Sequence, residues 1–268
     1  MSKRNRVVSF AVIIIVSFSV AFGYALRVCY IPPILVYHSI VPKDQIKNSL
    51  FVSTTTFSRQ MDFLKRHYNV VSLESLVSLI KEKRHIPPKT IAITFDDGRQ
   101  DNYTYAFPVL ENYHLPAAIF VIINEMGMKG MLSWDEIKSM RDSKLITIGS
   151  HTLTHPYLVE VNSEEELKRQ IYGSKQALEG ILKARVNGFC YPVGGITSKA
   201  SRIVEDSGYK YALCVSPGKK FPNNNVYALK RIKITEKDSN MFSFWVKCSG
   251  YYIFVKEHLS SKKNNYGY

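Results

Sequence analysis

Short apolar runs alternate with amphipathic segments along most of this chain. The runs are rich in Val, Ile and Phe, and most of them end at a polar pair or a turn. The segments between them carry apolar residues at helical spacing, such as Phe57, Met61 and Leu64. Strand-like runs that alternate with helical segments predict an α/β fold with a parallel sheet and crossover helices, built as an open sheet or as a barrel.

The same pattern gives the positions of the elements. We predict strands at residues 34–38, 70–73, 90–94, 116–123, 145–150, 188–191, 211–215 and 228–234. We predict helices at residues 57–67, 102–113, 134–142, 164–182 and 198–207, another helix that ends at Lys83, and a closing helix or strand-helix unit within 239–259. Thr56 is the predicted cap of the first helix, and Ser133 and Ser163 each begin a predicted capping box.

The start of the chain has a different pattern. Residues 2–6 are rich in Lys and Arg, and residues 7–26 form an uncharged, strongly apolar run. A run of about 20 apolar residues is long enough to span a bilayer as a helix. An uncleaved membrane anchor is one interpretation, and a signal peptide with a cleavage site at Ser19-Val20-Ala21 is the other. In either case the basic lead stays inside, so the domain faces outwards on the membrane or is secreted.

These patterns divide the chain into three parts. Residues 1–30 are the predicted N-terminal apolar helix, which serves as anchor or signal peptide, and Pro32 and Pro33 end it. Residues 31–259 contain no internal repeat and no shift in composition, so we expect one domain there. Residues 260–268 are polar, and we expect a flexible tail.

Composition narrows the choice of partners. The chain has 268 residues, of which 46% are hydrophobic, and a formal net charge of +14. The basic residues are scattered, and no DNA- or RNA-binding signature accompanies them, so we expect no nucleic-acid partner. The charge favours anionic surfaces such as membrane lipid or acidic wall polymers. We expect a monomer.

The four cysteines show no metal-binding spacing. Outside the cytoplasm a disulfide between Cys190 and Cys214 is one interpretation, and buried free thiols are the other.

Two polar motifs follow predicted strands. Asp96-Asp97-Gly98 ends one strand, and His151-Thr152-Leu153-Thr154-His155 follows another. Each motif alone is more typical of a solvated turn or a surface histidine pair than of a site. Histidines four residues apart can share one face of a helical turn and present two imidazoles to one metal ion. One acid and two histidines leave coordination positions open, so together the motifs predict a catalytic metal site.

The remaining polar candidates also stand at strand ends. His38 and Tyr191 end predicted strands, as Asp96, Asp97 and His151 do. In parallel barrels the active site gathers at the carboxyl ends of the strands. This shared position indicates one site.

The two motifs resemble those of the polysaccharide deacetylases, a carbohydrate-esterase family that removes acetyl groups from chitin, peptidoglycan and poly-N-acetylglucosamine. The resemblance covers about residues 34–234. It implies a distorted (β/α) barrel with about seven parallel strands and a divalent metal, above all zinc, with cobalt or nickel as alternatives. It further implies that Asp97, His151 and His155 hold the metal and that Asp96 is the general base.

A third segment resembles the family's oxyanion motif. It contains Tyr191, Pro192, Val193 and Gly194, and in the family a backbone N–H of this motif stabilises the oxyanion. Many members carry an arginine where this chain has Cys190 and a tyrosine where it has Val193. The change of arginine bears on how Asp96 is held and charged.

The general acid is assigned by a finer resemblance. Many members take it from a histidine near the C-terminal end, but residues 228–232 contain none. The strand that ends at His38 resembles the first strand of the poly-N-acetylglucosamine deacetylase subgroup, as do residues 132–135 and the Arg231-Ile232 pair. His38 is therefore the expected acid, and the alternative is that it merely bonds to an aspartate of the site. Trp134 either lines a sugar-binding groove or covers the barrel rim.

These resemblances imply a metal-dependent hydrolase that removes N-acetyl groups from a GlcNAc-containing polysaccharide outside the membrane. The polymer is poly-N-acetylglucosamine, peptidoglycan or a chitin-like chain. Two alternatives use the same residues: an O-acetyl esterase acting on a xylan-type glycan, and a wall-binding module with a catalytically decayed barrel.

Overall fold

A ring of short parallel strands forms the centre of the molecule. The structure is a computed structural model that describes residues 10, 14–19, 21, 23–24, 29–215 and 224–260. In chain order the strands are β1 (Ile34–Tyr37), β2 (Ser39–Val41), β3 (Phe51–Ser53), β4 (Asn69–Val70), β5 (Thr90–Phe95), β6 (Ala117–Val121), β7 (Ile146–Ser150), β8 (Gly188–Cys190), β9 (Tyr211–Cys214), β10 (Leu229–Lys230) and β11 (Ile232–Lys233). Strands β2 and β3 form a separate parallel pair, and β4 pairs with the start of β5.

Residues 229–233 nearly close the ring, because they pair with both of its ends. Its strand order is β10-β9-β8-β7-β6-β5-β1-β11, and every pair along it is parallel. Strands β10 and β11 stand at the two ends of this path, yet only Arg231 separates them in sequence. The predicted barrel of about seven strands is therefore confirmed, with its last segment divided between the two edges of the sheet.

Helices connect the strands on the outside of the ring. They are α1 (Thr54–His67), α2 (Leu73–Lys81), α3 (Phe107–Tyr113), α4 (Trp134–Asp142), α5 (Glu164–Lys168), α6 (Ser174–Leu182), α7 (Ser198–Asp206), α8 (Met241–Cys248) and α9 (Tyr252–Ser260). Single π-helical turns at Asn102–Ala106 and Arg169–Gly173 precede α3 and join α5 to α6. The side chain of Ser133 completes a capping box with Glu136, as predicted.

Alternation along the strands divides the core into two parts. On β1, Leu35 and Tyr37 point outwards to the helices, as do the alternate residues at matching positions of the other strands. These side chains belong to the larger apolar cluster. Ile34 on β1, Ala92 on β5 and the matching residues of the other strands point inwards. There they pack with Leu73, Leu76 and Val77 of α2. Helix α2 thus fills one end of the barrel with apolar side chains, which leaves polar chemistry to the opposite end.

Two local predictions are corrected by the structure, and one open alternative is decided. Helix α1 begins at Thr54, and its cap is Ser53, whose hydroxyl accepts a hydrogen bond from the Thr56 N–H. Leu73 begins α2 instead of ending a strand, because Ser72 caps that helix through the Ser75 N–H. Of the two interpretations of the cysteines, the structure supports free thiols: all four cysteines are free, and Cys190 and Cys214 are buried.

The predicted anchor falls largely outside the described residues. Within the part of the chain that the structure describes, no helix has the length and apolar character needed to cross a bilayer. Residues 261–268 of the predicted tail also lie outside the described part.

Candidate functional site

A buried ion pair stands inside the carboxyl end of the barrel. Asp96 follows β5, and Arg231 lies at the junction of β10 and β11. Both terminal nitrogens of Arg231 donate to the carboxylate, Nη1 to Oδ1 and Nη2 to Oδ2, each at 2.7 Å. The two side chains are only 1% and 5% exposed. Burial acts to raise the pKa of Asp96, but Arg231 and His151 hold it well below its usual range, so this carboxylate is ionised at neutral pH.

The same pair shows how Asp96 is held in a chain that has Cys190 where many family members carry an arginine. The Cys190 thiol lies 3.6 Å from Asp96 Oδ1, and its sulfur accepts a hydrogen bond of 3.0 Å from Arg231 Nη2. The guanidinium therefore reaches Asp96 from the closing segment of the barrel, next to the position where many family members carry their arginine.

Asp97, His151 and His155 come together beside this pair. The Oδ1 atom of Asp97 lies 3.8 Å from Nε2 of His151 and 3.9 Å from Nε2 of His155. These atoms are too far apart for hydrogen bonds, but one ligand atom from each residue fits within 4.8 Å of the others. Asp96, held by Arg231, approaches only His151 among the two histidines, at 4.0 Å. Asp97 is therefore the better placed of the two acids to complete an Asp-His-His set.

The protonation of these groups suits a cation. His151 Nδ1 lies 2.8 Å from the Cys190 carbonyl, which can only accept, so Nδ1 carries the hydrogen and the Nε2 lone pair faces Asp97. Burial lowers the pKa of His151 to about 4 and also lowers the pKa of His155, so both imidazoles are neutral. Burial raises the pKa of Asp97 to about 6, and among the described residues no Lys or Arg side chain lies within 4.0 Å of this carboxylate. Two neutral imidazoles and one carboxylate form the donor set that zinc prefers in catalytic sites.

The histidine motif is a loop and not the helical turn expected from its spacing. Thr152 and His155 both have left-handed backbone angles, with φ of 70° and 57°. Gln170, in the π-helical turn, fixes this loop: its Oε1 accepts hydrogen bonds from the N–H groups of Leu153 and Thr154, both at 3.1 Å. Its Nε2 donates to the Thr154 hydroxyl at 2.8 Å. A buried glutamine therefore sets the direction in which His155 points.

His38 borders the same cleft. Its carbonyl accepts a hydrogen bond of 2.7 Å from Asn102 Nδ2, and its Nδ1 is buried without a hydrogen-bond partner among the described residues. Burial lowers the pKa of His38, whereas Asp96 and Asp97 act to raise it. The backbone of His38 is thus fixed, and the residue lines the cleft together with Asp96 and Asp97.

The cleft has a volume of about 260 Å³. It is lined by His38, Leu50, Asp96, Asp97, His151, His155, Val193, Gly194, Val215 and Lys233. This volume is smaller than that of a typical ligand pocket of roughly 300–1,000 Å³. It suits a group of the size of an acetamide, with the rest of a polymer outside.

The oxyanion segment contributes backbone to this cleft. Pro192–Gly194 form a single helical turn, in which Val193 has a φ of 59° and is 69% exposed. Tyr191 is buried, and its hydroxyl donates to the Tyr227 carbonyl at 3.0 Å, so its side chain serves packing. Pro192 is buried as well, and Trp134 packs against the outer apolar cluster. Val193 and Gly194 line the cleft, whereas Trp134, Tyr191 and Pro192 do not.

Sequence reasoning missed two positioning residues. Arg231 stands among Leu229, Ile232 and Ile234, and an arginine in a buried strand needs a buried partner. That rule could have linked Arg231 to an acid of the motif. Gln170 carries no comparable signal, since its role depends on the path of the loop it binds.

Comparisons with known proteins agree with this geometry. The family model described as polysaccharide deacetylase matches residues 83–212. The polysaccharide-deacetylase-type protein YxkH of Bacillus subtilis (strain 168) is 30% identical over 204 residues, which cover 76% of this chain and 71% of that protein. The poly-β-1,6-N-acetyl-D-glucosamine N-deacetylase of Staphylococcus aureus (strain MRSA252) is 27% identical over 205 residues, which cover 72% and 70%.

A solved structure extends the likeness to the fold. The Streptococcus pyogenes deacetylase PplD, in complex with acetate, superimposes with a TM-score of 0.71 and 26% identity over 79% of this chain and 96% of that chain. The S. aureus relative and this structural neighbour are named as deacetylases, and the region matched by the family model contains the Asp-Asp and His-His motifs. The chain therefore belongs to the polysaccharide deacetylase family and is an enzyme of that family.

Proposed function

We propose that this protein removes N-acetyl groups from a poly-N-acetylglucosamine-type polymer at the outer surface of a membrane. The observation that carries the proposal is the cleft in which an Asp-His-His set stands beside a second aspartate that Arg231 keeps ionised. The S. aureus relative, an N-deacetylase of poly-β-1,6-N-acetyl-D-glucosamine, supports the polymer class. The apolar run at residues 7–26 supports membrane attachment.

Asp97, His151 and His155 would hold the divalent metal, with zinc as the best match to their donor atoms. When bound, such an ion would polarise the acetamide carbonyl and lower the pKa of water. Asp96 takes the proton from the attacking water, because Arg231 keeps it ionised and fixes its direction. The backbone of Val193 and Gly194 faces the oxyanion that develops on the carbonyl. His38 gives a proton to the leaving amine.

The test is acetate release by the full chain from four substrates. They are β-1,6-linked N-acetylglucosamine oligomers, chitin oligomers, peptidoglycan and acetylxylan. We expect release from the β-1,6-linked oligomers, its loss with a chelator, and its recovery when zinc is added. Asp97→Asn should abolish both zinc binding and release, whereas Asp206→Asn, an exposed change on α7, should leave both unchanged.

The alternatives give different results in the same assay. Faster release from acetylxylan than from any amide substrate would identify an O-acetyl esterase. Zinc binding with no release from any substrate would identify a binding module. The Arg231–Asp96 pair argues against a binding module without activity. Position 190 carries no guanidinium, but Arg231 supplies one to Asp96 from the segment between β10 and β11.

A further inference from the structure

Backbone strain in this protein is concentrated at the two ends of the barrel. Among the described residues, nine that are not glycine have positive φ. Asp97, Thr152, His155 and Val193 follow the carboxyl ends of strands, at the catalytic cleft. The other five are Lys83, Lys89, His114, Lys144 and Lys183, and all precede the amino ends of strands. Four of those five are therefore lysines on the face opposite the cleft.

Lysine is an unusual choice at these positions. Lys83, Lys144 and Lys183 stand at or just after the C-terminal caps of α2, α4 and α6. The left-handed conformation there favours Gly or Asn, because a Cβ atom meets the neighbouring backbone. Strained residues persist only where the surrounding structure fixes them, and they cluster at functional sites. The catalytic end of this barrel follows that rule, so the lysine end calls for the same explanation.

The four lysines are free to interact. All are exposed, and no described carboxylate lies within 4.0 Å of their ammonium groups. Further basic side chains on the same loops, also exposed, are Arg84, Arg185 and Lys210. The exposed acids near these loops include Glu74, Glu82, Glu111, Asp142, Glu205 and Asp206. Glu82 faces Arg84 at 3.5 Å and Asp142 faces Arg141 at 2.6 Å, so two of these charges are already compensated.

The chain enters the domain at this same face. Tyr30 precedes β1, and its ring packs edge-on against that of Tyr251, with 5.9 Å between the ring centroids. The Tyr30 hydroxyl donates to the carbonyl of Thr90 at the start of β5. A cleft of about 450 Å³ opens there, lined in part by Tyr30, Tyr251, Lys83 and Arg84. Residues 7–26, the apolar run, lie immediately upstream of this point. Tyrosine and basic side chains next to an apolar segment are typical of the interface between membrane and water.

We propose that this amino-terminal face, defined by Lys83, Lys89, Lys144 and Lys183, binds the anionic surface of a phospholipid bilayer. The barrel then rests on its lysine end, and the cleft at the opposite end faces away from the membrane towards the polymer. Each lysine near an anionic surface strengthens the attraction about fivefold. The proposal concerns the orientation of the domain and does not depend on the deacetylase chemistry.

The test is amide hydrogen exchange of the full chain on vesicles of phosphatidylcholine alone and of phosphatidylcholine with phosphatidylglycerol. We expect exchange in residues 82–90, 143–145 and 183–187 to slow by about tenfold or more only when phosphatidylglycerol is present, and to recover in high salt. Replacement of all four lysines by Gly should remove this protection. Because Gly fits the left-handed backbone, the variant should fold at least as stably as the parent.

A matched variant removes the same charge from the catalytic end. Its four changes to Gln are at exposed lysines near the carboxyl ends of the strands: Lys43, Lys47, Lys129 and Lys237. It should keep the protection, and both variants should release acetate from a short soluble oligomer at the parent rate. Equal protection in the two variants would overturn the proposal, as would protection by poly(glycerol phosphate) without any by phosphatidylglycerol vesicles. The first result means that net charge alone attracts the chain, and the second that the partner is an anionic wall polymer.

Discussion

Replacing Arg231 by Met tests how the general base is held. The change removes both hydrogen bonds of 2.7 Å to Asp96 and leaves that carboxylate without its cation in a buried position. Methionine fills much of the same space, so the perturbation is mainly electrostatic. Breaking one side of a buried ion pair destabilises a protein by about 3–5 kcal/mol.

The same change alters the protonation of Asp96. Burial acts to raise the pKa of this carboxyl, and Arg231 is the largest influence that lowers it. Without Arg231 the pKa rises, so the fraction of ionised base at a given pH falls and the acid limb of the activity profile moves to higher pH. General-base catalysis contributes about 10²–10⁴-fold to rate, and we expect a loss of that order at neutral pH. The measurements are acetate release across pH and the free energy of unfolding.

Two further variants separate charge from packing. Asp96→Asn combined with Arg231→Met removes both charges, so it should recover most of the stability lost in the single variant but no activity. Cys190→Arg combined with Arg231→Ala moves the guanidinium to position 190, whose thiol sulfur lies 3.6 Å from Asp96 Oδ1 in this chain, and should recover part of the rate. An Arg231→Met protein with the parent rate and pH profile would refute the assignment of Arg231 as the residue that positions and ionises the base.

Three other predictions concern neighbouring groups. His38→Ala should slow deacetylation of N-acetylglucosamine oligomers by about 10²–10⁴-fold yet spare 4-nitrophenyl acetate, whose leaving group needs no proton, whereas Asp96→Asn should slow both. Gln170→Met should weaken zinc affinity by about 10–100-fold, measured by titration, whereas Gln176→Met on the exposed side of α6 should not. In the presence of a chelator, the pKa of Asp97 is about 6 in the folded protein, against an ordinary value of 3.8. Protonation of Asp97 therefore favours the folded state. The stability that this group contributes is complete below pH 3.8 and is lost as the pH rises through 6. Asp97→Asn should therefore gain up to about 3 kcal/mol over the parent at pH 7 and almost nothing at pH 3, measured by denaturant unfolding.

The sequence predicted the barrel because its signals are local. The strands carry apolar runs, the helices carry caps such as Ser133, and strand and helix alternate without exception between β5 and β9. The closing segment is harder to foresee. Residues 229–233 form two strands of two residues each that pair with opposite edges, β9 and β1. No pattern in five residues specifies such a division, because it depends on where the ring ends.

The site was predictable in its residue types but not in its local shape. The spacing of His151 and His155 fits a helical turn, yet the chain forms a loop, because Gln170 occupies the N–H groups of Leu153 and Thr154 that a turn would use. The sequence pattern also gave no sign of which residue pairs with Asp96. Arg231 lies 135 residues away in sequence and reaches the carboxylate only because the barrel closes.

Asp96 and Asp97 are adjacent in sequence yet differ in environment, and one backbone angle accounts for the difference. Asp96 continues the direction of β5, and its N–H donates to the Tyr37 carbonyl as part of the β1 pairing, so its side chain points into the barrel towards Arg231. Asp97 has a φ of 72°, which turns its carboxylate out of the strand towards His151 and His155. The first acid is therefore matched by a cation of the protein and stays ionised. The second has no Lys or Arg partner within 4.0 Å among the described residues, and burial raises its pKa to about 6, so this carboxylate gains from binding a cation. Had the strand continued through both residues, their side chains would face opposite sides of the sheet and could not share one site.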